Sequence, residues 1–581
     1  MEKLHNLRHT LAHLLAAAVG EIYKFDKIKL TLGPSIENGF YYDIDFGDEK
    51  ISDADLKKIE DRMRKILPKW TEFEHKEISK DEAINFFKNE YKQELVNEIA
   101  DRGEKITTYT CGGFTDLCRG GHLEHPAQEI NPDCFKLDRV AGAYWRGDEK
   151  NKMLTRIYGL AFLTKEELDT YTTQREEAEK RDHKKLGKEL GLFTVSELVG
   201  KGLPMLLPKG NIIKTELENF IRKEKEKLGY SFVSVPHIAK KELYIKSGHM
   251  GKYDAMMPVM TDENGEEFVM KAMNCPHHFE IYNAEPHSYR DLPFRIAENT
   301  TVYRNEKSGE LAGLLRVKNL TQDDTHHVIR GDQIESEIEM IFGLMQKVYK
   351  IFNFDNYKVE VSVRDPQNKK KYFGDDAIWE KAEKILISSA KKMGLNYSVE
   401  EGEAAFYGPK IDIKVKDSIG REWQLTTIQL DFNQPENFEM DYTGEDGKKH
   451  RAVVLHVAIY GSFERFMGVL IEHYAGAFPL WLSPVQVKVI PVRENHNEYA
   501  KEVSELLKAS GIRADLDDNN GNLGGKVRDA KNNKLPYWIV IGDKEIEANK
   551  ITLESRDTGP LGQITKEELL SKLLEEIKNK K

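Results

Sequence analysis

The sequence is poor in cysteine, has no long apolar run and carries no excess of positive charge. Each shortage removes a class of protein. Four cysteines among 581 residues do not make a disulfide framework. Cys111, Cys118, Cys134 and Cys275 include no C-x-x-C pair, which excludes zinc-ribbon and thioredoxin-like motifs. No apolar stretch reaches the ~18 residues of a membrane-spanning helix. The opening MEKLHNLRHTLAH has neither the apolar stretch nor the small-residue cleavage site of a signal peptide, so a cytoplasmic protein without a membrane partner is expected. A formal charge of −11 argues against a non-specific nucleic-acid coat protein. It does not exclude a nucleic-acid enzyme, because phosphate binding depends on local basic patches. There is no G-x-x-x-x-G-K-[ST] loop and no strand–GxGxxG–helix unit, so any nucleotide must be held by side chains.

What is present is a globular chain, 39% hydrophobic and 32% charged, with length for roughly three or four domains. Residues 28–46, IKLTLGPSIENGFYYDIDF, read as two strands around a turn marked by Pro and Asn-Gly. From Leu163 to about Gly191 the chain is charged and predicts an exposed connecting helix. Residues 214–228 predict another helix, followed by a strand YSFVSVP that stops at Pro236. After Pro484, strands and helices of similar length alternate, which indicates a separate compact α/β domain.

If residues 8–23 are helical, Leu11, Leu14, Leu15, Ala18 and Ile22 share one stripe. His9 and His13 then lie opposite, beside Ala16 and Gly20 rather than Lys or Glu. A solvated face normally carries charge, so these small residues predict that something packs there or that the face lines a pocket. Two surface histidines are the plain alternative. Further along, DLCRGGH repeats the spacing with Cys118 and His122. Three imidazoles and a thiol fit zinc; without a metal they suit positioning and deprotonating a water. The residues alone leave metal, water and coincidence open.

Two arginines stand out for anion binding, where a planar fork pairs with two phosphate oxygens at once. Arg304 lies between two extended runs in PFRIAENTTVYRNEKSGELAGLLRVKNLTQDDTHHVI. Arg465 follows a strand that turns at Gly461-Ser462 into a helix, and Ser462 as N-cap places it in the first turn. Singly, each is more often a salt-bridge partner. Together, a helix and strand ending at Pro236, then YRNE, then GSFERF, resemble motifs 1, 2 and 3 of the class II aminoacyl-tRNA synthetases. MKAMNCPHH, LTQDDTH, AAFYGPKIDI and IQLDF narrow the resemblance to the threonyl-tRNA synthetases, and RHTLAH, DLCRGGH and AGAYWRGDEKNKMLTRIYG resemble their editing domain. It runs from about Leu7 to Lys581.

The resemblance implies an α+β multidomain protein. An N-terminal α+β editing domain would span 1–162, a helical linker 163–190, a class II antiparallel-sheet catalytic domain 191–482 and an α/β anticodon-binding domain 483–581. The implied activity is threonine–tRNA ligase: L-threonine and ATP form threonyl-adenylate, and the threonyl group passes to the 3′ end of tRNA(Thr). Mischarged seryl-tRNA(Thr) is hydrolysed. A homodimer, one zinc per subunit and Mg²⁺ with ATP are implied as well. Cys275, His326 and His456 would hold the zinc, a choice that the residues alone cannot make among 18 histidines, His277, His278 and His327 being adjacent competitors. Arg304 would take the α-phosphate, and Arg465 the adenine face and γ-phosphate. Glu306 and Gln424 match adenosine contacts, Arg316 and Gln322 positions beside the phosphates, and Asp324, Tyr407, Gln429 and Ser462 the threonine pocket. His249 matches a histidine that helps deprotonate the terminal adenosine in transfer. His9, His13, Asp116, Cys118 and His122 would form the editing pocket, handling water rather than a metal. Asn520 and Glu545 match anticodon-reading positions.

The chain also departs from the family pattern. It starts at the editing domain rather than at a small ubiquitin-like domain, His277 replaces a glycine beside Cys275, and Glu554 stands at a usual arginine, with Arg556 two residues on. Two other readings compete: a synthetase-like RNA-binding regulatory protein that no longer charges tRNA, and a related class II ligase for proline or serine. The paired arginines and the Cys/His/His set weigh against the first, and that set with the H-x-x-x-H segment against the second.

Overall fold

The computed structural model describes residues 2–148, 150–416 and 420–581. The chain divides into two compact units, Met1–Glu176 and Glu177–Lys581.

In the first unit the helix Glu2–Tyr23 is buried along its middle on nearly every side, from Leu7 to Gly20. Of the expected stripe, Leu11, Leu14, Leu15 and Ala18 are fully buried and Ile22 is half-buried, and the opposite side, with His13 and Ala16, is covered too. Small residues permit that approach: a Cβ on Gly20 would collide with the ring of Phe25. The helix packs on an antiparallel sheet whose strands run in the order Lys29–Leu30, Gly39–Asp45, Met153–Ala161, Phe135–Tyr144. A second sheet, Glu74–Glu77, Thr107–Cys111 and Phe114–Leu117, ends at Cys118, with the helix Glu90–Asp101 in the same unit.

The second unit is built on an eight-stranded sheet. Its order is Ser231–Phe232, Phe294–Tyr303, Asn319–Ile329, Val453–Ala458, Glu422–Asp431, Lys410–Lys416, Tyr357–Val363, Tyr397–Glu401. Pairing is antiparallel except at the two ends. The register sets His326 opposite His456, and His456 opposite Gln429 on its other side. The helices Pro208–Lys227, Ile334–Ile351, Asp376–Lys392 and Phe463–His473 supply the main core. The helix expected from 214 begins at Pro208, whose missing N–H costs nothing at a first helical position. The strand after it is only Ser231–Phe232.

The exposed connector expected over 163–191 holds for its first helix, where only Leu168 is buried, and not for its second. It is two helices, Lys165–Arg181 and His183–Glu189, broken where Asp182 caps the second through Lys184 N–H and Lys185 N–H. The second is not exposed: Leu186 and Leu190 join the main core of the second unit, and His183 is buried against Glu472. Its charged residues hid the apolar side that tertiary packing covers.

The C-terminal region has a sheet in the order Ala514–Leu516, Val487–Pro491, Tyr537–Ile541, Ile551–Ser555, Gly559–Ile564, the first three parallel. The strand Gly559–Ile564 and the short helix Asp543–Ala548 add to the expected alternation.

Candidate functional site

A strand's period of two explains how the first site is assembled. On Asn319–Ile329, the residues Gln322, Asp324 and His326 face one side and line a cavity of about 440 Å³. Their neighbours face away: His327 bonds Tyr230 Oη (2.8 Å) and Glu337 (2.9 Å), and Asp323 pairs with Lys225 (2.9 Å). Strand alternation thus separates His326 from its competitor. Across the sheet His456 and Gln429 join the cavity, as does Cys275 at the start of the helix Cys275–Asn283.

Cys275, His326 and His456 converge, with ligand atoms all within 4.8 Å of one another. His326 Nε2 and His456 Nδ1 are 3.0 Å apart, and their outer nitrogens are occupied. His456 Nε2 donates to Asp431 Oδ2 (2.8 Å), and His326 Nδ1 bonds His278 Nδ1 (2.9 Å). This orients both inner nitrogens toward the thiol, as a metal site requires. Burial, then repulsion from Asp324 and Asp431, drives the Cys275 thiol well above its ordinary range. Burial, then the neighbouring His456 and His278, holds His326 well below its own. His277 is also buried, with neither ring nitrogen hydrogen-bonded.

Arg304, Arg316 and Arg465 line the same cavity with Glu306, Gln424, Tyr407 and Ser462. Ser462 Oγ accepts Arg465 N–H (3.2 Å), so the expected cap forms. Among the described residues the Arg465 guanidinium reaches the carbonyls of Leu315 (2.9 Å) and Gln424 (3.2 Å), and Arg304 reaches Ala272 O (3.5 Å) and Met273 Sδ. Arg316 is paired with Glu306 (2.8 Å) and Glu310 (2.7 Å). Burial, then repulsion from Arg304 and Arg316, lowers the Arg465 pKa. His249 stands apart from this lining: it is fully buried beneath Phe406, hydrogen-bonded to Ser247 (2.8 Å), with Nε2 unpartnered.

The second site lies in the first unit. His9, His13, Cys118 and His122 bring their ligand atoms within 4.8 Å of one another. Cys118 Sγ is 3.2 Å from His122 Nε2 and 3.5 Å from His9 Nε2. Burial pushes the Cys118 thiol up to about 12 and His122 down to about 2, so near neutral pH the cluster is a thiol among uncharged imidazoles. Asp116 lines the adjoining cavity of about 310 Å³ and is buried in an ion pair with Lys92, while Tyr42 Oη donates to it (2.6 Å). The sequence reading did not single out Lys92 and Tyr42; a lone Lys in the helical segment EYKQEL carries no signal of its own.

In the C-terminal region Asn520 is exposed. Glu545 is committed internally, accepting Gly542 N–H, Thr552 Oγ1–H and Gln563 Nε2–H. Glu554 accepts Trp538 Nε1–H (3.0 Å), and Arg556 donates to Phe478 O and Lys534 O.

A largely antiparallel sheet flanked by three arginines and a Cys/His/His cluster, followed by an α/β C-terminal domain, has the features of a class II aminoacyl-tRNA synthetase. Family models agree: residues 257–474 match the class II tRNA synthetase core domain (G, H, P, S and T), 486–576 an anticodon binding domain, and 106–158 the threonyl and alanyl tRNA synthetase second additional domain. The threonine–tRNA ligase of Bacteroides fragilis is 49% identical over 580 residues, covering 99% of this chain and 89% of that protein. That of Deinococcus radiodurans is 48% identical over 588 residues, covering 99% and 89%. A crystal structure titled as the RNA binding domain of threonyl-tRNA synthetase from Cryptosporidium parvum superposes with a TM-score of 0.65 at 34% identity, covering 68% of this chain and 98% of that one. The chain belongs to the threonine–tRNA ligase family and carries its editing domain.

Proposed function

We propose that threonine is activated in the sheet cavity and that seryl-tRNA is hydrolysed at the His9/His13/Cys118/His122 cluster. The observation that carries the first half is the arginine trio: among the described residues Arg304 and Arg465 have no carboxylate partner, and Arg465 is destabilised by its like-charged neighbours. An ATP phosphate chain relieves that repulsion. Arg304 then holds the α-phosphate while the threonine carboxylate attacks it, and Arg465 steadies the departing pyrophosphate. Arg316 exchanges Glu306 and Glu310 for phosphate oxygens; Gln322 lies beside it, and Glu306 and Gln424 are left to the adenosine. Mg²⁺ accompanies ATP.

Asp324, Tyr407, Gln429 and Ser462 enclose the amino acid next to Cys275, His326 and His456. One thiolate and two oriented imidazoles make three ligands with an open position, a donor set that fits catalytic zinc, one per subunit. When bound, the zinc supplies a Lewis-acidic position that recognises an amino and a hydroxyl group together. Valine lacks the hydroxyl, and a site built to engage one rejects such an analogue by roughly 10⁴–10⁵. Serine lacks only a methyl, worth about 1–3 kcal/mol, so a second, hydrolytic site is needed. There the uncharged imidazoles take a proton from water, with the Lys92–Asp116 ion pair beside them. By the family pattern His249 serves transfer, its unpartnered Nε2 lying behind the cavity lining rather than in it. Asn520 and Glu545 take part in anticodon reading, Glu545 held in place by Gly542, Thr552 and Gln563. The protein works in the cytoplasm as a homodimer, with the four-part division into editing, linker, catalytic and anticodon domains.

The test is amino-acid-dependent ATP–pyrophosphate exchange without tRNA. Strong exchange with threonine, weaker with serine and almost none with valine is expected; no exchange from folded, zinc-loaded protein would refute the activation site.

A further inference from the structure

The helix Glu90–Asp101 of the editing unit is graded along one face. Lys92, Leu95, Ile99 and, at its end, Arg102 follow helical spacing and all line the cavity beside the His/Cys cluster. Lys92 is buried on Asp116 at the floor, Leu95 and Ile99 form a half-buried apolar shelf, and Arg102 is exposed. Lys105 and Arg119 complete the rim, their side chains 76% and 68% exposed. The cavity lining therefore holds four cations, Lys92, Arg102, Lys105 and Arg119, and one carboxylate, with Glu77, Glu98 and Glu104 pairing the rim cations from outside it. That carboxylate, Asp116, is already matched by Lys92.

The rim cations have weak partners. Glu104 lies 3.6 Å from Arg102 and 2.5 Å from Arg119, Glu98 lies 3.9 Å from Arg102, and Lys105 meets Glu77 at 2.8 Å. Exposed pairs of this kind contribute little to folding, so stability alone does not account for gathering them at the mouth of a hydrolytic cavity. Cations held only by weak, exposed pairs at the mouth of a cleft can be re-partnered by an anionic ligand.

We propose that Arg102, Lys105 and Arg119 form a phosphate clamp for the single-stranded 3′ end of tRNA. The shelf of Leu95 and Ile99 supports the terminal nucleoside, and the clamp takes the phosphates that precede it. The aminoacyl ester is thereby held over His9, His13, Cys118 and His122. Phosphate oxygens displace Glu104, which acts as an internal competitor for the same donors. This inference rests on the hydrolytic reading of the cluster and adds to it the chemistry that recruits the substrate.

The experiment is single-turnover hydrolysis of seryl-tRNA by the full chain at several salt concentrations, comparing wild type with R102Q/K105Q/R119Q. The half-saturating concentration is expected to rise roughly 10–100-fold, with the rate at saturation within about twofold. Because each single-strand phosphate contact contributes a slope of ~0.7 in log affinity against log salt, the dependence should weaken by about 2. Unchanged half-saturation and salt slope would overturn the clamp. Seryl-adenosine, which has no phosphate, separates binding from chemistry: the triple variant should hydrolyse it as wild type does, and equal impairment on both substrates would overturn the proposal. Glu104→Gln should lower the half-saturating concentration for seryl-tRNA; a rise would count against the competitor role. His13→Ala tests the underlying reading independently, since full hydrolysis of both substrates by that variant would remove the cluster's chemistry whatever the rim does.

Discussion

Replacing Asp431 by Asn probes the Cys/His/His centre through a single atom. Asp431 Oδ1 accepts the backbone N–H groups of Asn433 (2.8 Å) and Gln434 (2.9 Å), and Oδ2 accepts His456 Nε2–H (2.8 Å). In the Asn variant the oxygen stays with the two backbone donors and the amide NH₂ faces His456. A donor now meets a donor, so the imidazole proton moves to Nδ1, the nitrogen that points at His326 and Cys275. A protonated Nδ1 has no lone pair for a metal. Loss of an outer partner of a metal-bound histidine costs about 10–100-fold in affinity, or roughly 1.4–2.8 kcal/mol. Chelator competition should therefore show zinc held about 10–100-fold more weakly by Asp431→Asn, with threonine-dependent exchange falling in parallel at limiting zinc. A zinc dissociation constant within twofold of wild type would refute ligation through His456 Nδ1.

Further outcomes follow from the same geometry. Cys275→Ala should abolish threonine-dependent exchange while seryl-tRNA hydrolysis persists, and His13→Ala should do the reverse, losing about 10²-fold or more in hydrolysis; the two assays on both variants check this. Lys225→Met leaves the Asp323 carboxylate buried without its cation and should cost about 3–5 kcal/mol in urea unfolding. Adding Asp323→Leu should not restore it, because Asp323 also accepts the N–H groups of Ile459 and Tyr460, each costing about 1–3 kcal/mol when orphaned. Full recovery in the double variant would refute that account. Glu337 titrates at about 2 in the fold, burial being outweighed by hydrogen bonds from Arg295 and His327. Its ordinary value is 4.5, so its stabilisation is complete above that pH and is lost as pH falls toward 2. Glu337→Gln should flatten the fall in melting temperature across that window; an unchanged slope would show that other carboxylates set acid stability.

Local features were legible from the residues themselves. The helix over 8–23, the Ser462 cap, the two extended runs around Arg304 and the alternating C-terminal elements follow from side-chain periodicity and capping chemistry, which act within a few residues. The sequence also placed His9 with His13, and Cys118 with His122, because helical and loop spacings are local. It could not show that these two pairs meet, nor choose among neighbouring histidines except by resemblance. The tertiary structure decided those points. Sheet pairing puts His326 opposite His456, 130 residues away, and strand alternation turns His327 to the other face. The same long-range packing supplies Asp431 and His278 as outer partners, buries Lys92 against Asp116, and folds the charged segment at His183 into the core. Such contacts come from burying surfaces distant in sequence, and no period or motif within a segment records which surface will cover it.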